Sequence, residues 1–81
     1  MKKTFEFSDK VLAMIDKLVA ANMWTKCVKQ IKEFTCFDIV TTKSITMKNA
    51  FADEWLFIDD VQYALDIIDN CYLQTFHTMV I

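Results

Sequence analysis

The sequence predicts a small α+β domain, and three observations carry that prediction. Apolar residues recur at helical spacing in two stretches, within residues 9–33 and 50–69. Short runs rich in β-branched and aromatic residues stand around them, at 3–7, 37–47 and 72–81. No repeat, linker or low-complexity stretch divides the chain, so its 81 residues are read as one domain spanning 1–81.

The elements follow in order. Lys3-Thr4-Phe5-Glu6-Phe7 alternates apolar with polar residues, the period of a half-buried strand. Ser8 reads as a helix N-cap, with Phe7 and Leu12 placed to staple the first turn. Val11, Leu12, Ile15, Leu18 and Val19 form one helical stripe. Trp24, Cys27, Val28, Ile31 and Phe34 form a second, rotated from the first by roughly half a turn at 100° per residue. Asn22 stands at the junction, and Asn is the best left-handed helix terminator in a chain without Gly. The first helix is therefore expected to break near Asn22.

Phe37–Thr41 and Ser44–Met47 suit a β-hairpin with a polar joint at Thr42-Lys43, although the favoured Asn-Gly or Asp-Gly turn is missing. Asn49 suits the cap of a second long helix, with Asp53 and Glu54 near its positive end. Its inner stripe is expected to be Phe51, Trp55, Ile58, Val61, Leu65 and Ile68, ending at Asn70. The competing assignment makes Glu54–Ile58 a strand and starts the helix at Asp59 or Asp60. Tyr72 to Ile81 alternates and reads as a last strand, with helix continuing through Phe76 as the alternative. The resulting order, β-α-β-β-α-β, is that of a ferredoxin-like domain, with both helices on one face of a four-stranded antiparallel sheet.

The residue inventory narrows function by what it lacks. Without Gly there is no phosphate-cradling loop, dinucleotide fingerprint or Gly-flanked nucleophile turn. All nine basic residues are Lys, so no guanidinium clamp is available for phosphate or carboxylate. His77 is the sole histidine. Common catalytic constellations cannot be built from this set, and no catalytic residue is expected. Cys27, Cys36 and Cys71 are irregularly spaced with no C-x2–4-C pair, which with His77 makes neither a zinc site nor a disulfide framework. They are read as reduced thiols in a cytoplasm, with no metal or cofactor. The apolar stretch from Val11 to Ala21 is broken by Asp16 and Lys17, so neither a secretory signal nor a membrane partner is expected.

Residues 54% apolar and 14% aromatic offer more apolar surface than one small core absorbs, since a domain this size hides only about 60–65% of its unfolded surface. The excess points to another chain, either a protein partner or a second copy in a homo-oligomer. Charge is also uneven. Nine Lys against five acids give residues 1–49 a charge of +4, and residues 50–81 carry six acids and no Lys.

These features place the expected partner-binding surface on the second long helix. Leu56, Tyr63 and Ile67 are expected to face outward, with Asp59, Asp60 and Asp66 around them, as an apolar centre with a charged rim. Adjacent acids such as Asp59 and Asp60 are ordinarily a solvated helix face, and no supporting ligand makes them a metal or hydrolytic site. The expectation is a non-enzymatic protein-binding module, of the kind a phage uses as a small inhibitor or modulator of a host protein. The phage element rests on small size, apolar excess and a residue usage that suits an AT-rich genome, and would put the protein in the host cytoplasm. The alternative is a regulator that binds RNA or single-stranded DNA through Lys26, Lys29 and Lys32, with Trp24 and Phe37 for stacking. The absence of Arg and a net charge of −2 disfavour nucleic acid.

Overall fold

A computed structural model describes residues 3–48 and 54–76. The order is β1 (Lys3–Glu6), α1 (Asp9–Ala20), α2 (Trp24–Phe34), β2 (Phe37–Val40), β3 (Ser44–Met47) and α3 (Glu54–Phe76). The domain is α+β, but its three strands form one antiparallel sheet in the order β1-β3-β2. That corrects the expected four-stranded, ferredoxin-like βαββαβ arrangement. Its fourth strand fails at Tyr72–Phe76, which belong to α3, while residues 77–81 lie outside the described part.

Local chemistry accounts for the first half. Ser8 caps α1, its Oγ accepting from the Val11 N–H at 3.4 Å. At the other end Asn22 adopts φ 60°, in the left-handed region. Its N–H donates to the Val19 carbonyl at 3.0 Å and the Met23 N–H to the Leu18 carbonyl at 2.9 Å. These are the paired bonds of a Schellman terminator, closing α1 and turning the chain into α2. Thr35 ends α2: its hydroxyl donates to the Ile31 carbonyl and accepts from the Phe37 N–H at 3.2 Å, joining helix to strand.

The β2–β3 turn uses Thr41 in place of Asn-Gly. Its Oγ1 accepts from the Lys43 and Ser44 N–H groups at 3.1 and 3.0 Å. A bulge at Asp38 breaks the register between Phe37 and Ile39, so that Phe37 and Val40, three apart, both pack on the core. On β3, Ile45 and Met47 point into the core. Thr46 points the other way and meets the hydroxyl of Thr4 at 3.0 Å. The helices therefore lie on the Ile45–Met47 face, and the opposite face carries Thr4, Glu6, Ser44 and Thr46, with Ile39 paired to Thr46.

The core joins the three helices to this sheet through Ile15 and Leu18, Cys27 and Ile31, Phe37, Ile45 and Met47, and Ile68. Burying each large aliphatic side chain stabilises the fold by about 1.5–3 kcal/mol. Glu54–Phe76 is continuous helix, so 54–58 is not a strand. Asn70 does not stop it. An interior Asn costs only about 0.6 kcal/mol, less than the packing of Ile68 and Cys71 on either side. Beyond it Tyr72 receives Lys17, whose Nζ lies 3.4 Å from the phenol oxygen, and leans on Phe76 with ring centroids 4.9 Å apart.

Candidate functional site

The face that α3 turns to the core is set by its neighbours, and it is not the expected one. Val61, Ala64, Ile67, Ile68 and Cys71 are buried. Trp55 and Ile58, assigned to the inner stripe, are 62% and 58% exposed, and Leu65 is half-buried. The inner face is thus rotated by roughly a quarter turn from the expected one, counting 100° per residue. Phe51, the first residue of the expected stripe, and Asn49, its cap, lie outside the described residues.

Two neighbours fix this phase. On one side α2 delivers Cys27 and Gln30 to Cys71, whose thiol donates to the Gln30 side-chain Oε1 at 3.9 Å. Burial, with the Cys71 thiol alongside, pushes the Cys27 thiol far above its ordinary range and keeps it protonated. On the other side β1 brings Phe5 beside Phe57, Val61 and Leu65, and Lys3 forms a 2.7 Å ion pair with Glu54 while lying over the Phe57 ring.

The six residues expected to bind a partner separate accordingly. Asp59, Tyr63 and Asp66 are exposed and share one side of α3. Ile67 is 8% exposed and belongs to the core, which corrects its outward placement. Leu56 is half-buried against the core. Asp60 is half-buried and already engaged, accepting the Cys36 N–H at 2.6 Å. Its carboxylate also accepts from the Cys36 thiol and raises that thiol's pKa.

Sequence reasoning missed the other half of this surface. Trp55, Ile58, Leu73 and Phe76 are large exposed apolar residues along one side of α3. Ile58 borders a groove of about 330 Å3, lined by Phe5, Phe57, Val61, Gln62 and Leu65. The signal was present: α3 has apolar residues almost all round, so whichever stripe faced the core, another would face water. A second groove of about 340 Å3 lies between α2 and α3, with Phe34 and Tyr63 at its rim.

Lys26, Lys29 and Lys32 are all exposed on α2, but Trp24 and Phe37 are buried in the core and cannot stack on a base. Among the described residues, no group of three His, Cys, Asp or Glu side chains is placed to hold a metal, and no helix is long and apolar enough to cross a membrane. Comparison with protein-family models, curated proteins and solved structures finds no match to the chain.

Proposed function

We propose that the protein is a non-enzymatic protein-binding module that uses the exposed side of α3 as its contact surface. One observation carries the reading: Trp55, Ile58, Tyr63, Leu73 and Phe76, all large and apolar, remain exposed on a single helix. Large apolar residues left exposed together on one element are a usual mark of a protein contact, with aromatic residues supplying most of its energy. A small inhibitor or modulator of another protein suits the size of the chain and its lack of Gly and Arg.

Self-association draws on the same apolar surplus, but pairing α3 with α3 of a second copy sets carboxylate against carboxylate. The helix carries Glu54, Asp59, Asp60, Asp66 and Asp69 and no Lys. The face therefore suits a different chain. The test is capture of a partner on immobilised protein, with Trp55→Ser and Ile58→Ser variants alongside. Loss of the partner with both variants supports the reading, and undiminished capture refutes it.

A further inference from the structure

We infer that a second copy of this chain docks on the face shared by α2 and α3, in a two-fold dimer that lays each α2 over the other copy's α3. This is a second surface beside the one proposed above, and it leaves Trp55, Ile58 and Phe76 free for a different protein.

The two helices run antiparallel, since Cys27 meets Cys71 while Cys36, just beyond α2, meets Asp60. Between them lies the groove of about 340 Å3, lined by Gln30 and Phe34 from α2 and by Tyr63, Asp66, Ile67 and Asn70 from α3. Phe34 and Tyr63 stand at its rim 55% and 48% exposed, one aromatic ring from each helix. Folding of the single chain leaves both uncovered.

Charge is divided across the same face. On α2, Lys26 stands one turn before Gln30, followed by Lys29 and Glu33; on α3, Asp59 and Asp66 stand one turn either side of Tyr63. All five are exposed, and among the described residues the one ion pair is Lys3 with Glu54, so none of the five is paired. The α2 side is net positive and the α3 side net negative. A two-fold axis parallel to the helices turns α2 of one copy over α3 of the other without changing heights along them. Phe34 of each copy then comes over Tyr63 of the other, and Lys29, next to Gln30, over Asp66. The axis at right angles to the helices instead lays α2 on α2 and α3 on α3, setting Lys against Lys and Asp against Asp. A face that carries both halves of the pattern is complementary to itself, as a two-fold contact requires.

The experiment follows the full chain by sedimentation and backbone amide NMR, reduced so that exposed Cys36 cannot cross-link it. The dilution series runs from about 1 mM to about 10 μM, the range of weak protein contacts. The expected result is a dimer at the high end, with shifts on dilution centred on Gln30, Phe34, Tyr63 and Asn70. Phe34→Ser should weaken it by about tenfold or more. Lys26→Glu with Lys29→Glu, and Asp59→Lys with Asp66→Lys, should each weaken it by about the same factor, because each sets like charge against like. Mixing these two double variants should restore pairing, now between unlike chains. Trp55→Ser with Ile58→Ser should leave the dimer unchanged. A monomer at the highest concentration overturns the inference, as do shifts centred elsewhere, indifference to the charge variants, or a mixture that stays monomeric. A different protein that needs Phe34 and Asp66 while the chain itself stays monomeric would also overturn it. Each of these results leaves Trp55 and Ile58 untouched, so the surface proposed above stands or falls by its own variants.

Discussion

Set beside α1 and α2, α3 leaves a different kind of surface to water. α1 shows Asp9, Lys10, Asp16 and Lys17, and α2 shows Lys26, Lys29, Lys32 and Glu33, with Val19 and Phe34 their large exposed apolar residues. α3 shows Trp55, Ile58, Tyr63, Leu73 and Phe76. The first two helices are amphipathic, and folding buries one stripe of each. α3 is apolar on more sides than the domain can cover. The surplus seen in the composition is thus gathered mainly on one element.

The largest test of this contrast is at Ile67. Ile67→Ala should cost about 2–5 kcal/mol, because the side chain is in the core. Tyr63→Ala, one turn earlier on the outer side, should stay within about 0.5 kcal/mol. Urea unfolding measures both, and the opposite ranking would put α3 back in the phase expected from its sequence.

The joint between α1 and α2 should respond next. Asn22 holds φ 60°, which a β-branched residue resists, so Asn22→Val should lose about 1–2 kcal/mol. Asn22→Gly should be neutral or stabilising by about 0.5 kcal/mol, the relief of the left-handed strain set against a looser unfolded chain. Equal effects of the two substitutions would mean that the Schellman turn does not govern the break.

These two sites also show what was legible in the sequence. At Ser8 and Asn22 the information is local: a hydroxyl before a stripe and an Asn between two stripes fix where helices start and stop. The hairpin was legible for the same reason, although Thr41 supplies its turn chemistry and the Asp38 bulge left no sequence signal. α3 has no such anchor within its described length. Trp55-Leu56-Phe57-Ile58 satisfies several stripes at once, and the choice among them is made by Phe5, Cys27 and Gln30, distant in sequence. The final strand failed likewise, since the alternation of 72–76 was outweighed by helix packing at Ile68, Cys71 and Tyr72. The acids of the surface were legible as a group; which apolar residues accompany them was not.

The cysteines separate the α2–α3 seam from its rim. Native protein should be alkylated at Cys36, while Cys27 and Cys71, both buried, should react only on unfolding. Asp60 holds the Cys36 thiol above its ordinary pKa by accepting a hydrogen bond from the protonated thiol and by its charge opposing the thiolate. Asp60→Asn should lower that pKa, raise the thiolate fraction at pH 8 and speed alkylation by iodoacetamide. An unchanged rate would refute the contact. The smallest effect is expected at Lys3, whose pair with Glu54 is solvent-exposed. Lys3→Met keeps the stem over Phe57 and should change stability by less than about 1 kcal/mol.

The most direct measurement compares wild-type protein with the Trp55→Ser/Ile58→Ser double variant, first by urea unfolding and then by affinity for a captured partner. Both side chains are largely exposed, so stability should change by no more than about 0.5 kcal/mol for each. Affinity should fall by roughly thirtyfold or more, the loss of about 2 kcal/mol expected at an interface hot spot. A double variant that folds normally and binds the partner as tightly as the wild type would contradict the assignment of α3 as the contact surface.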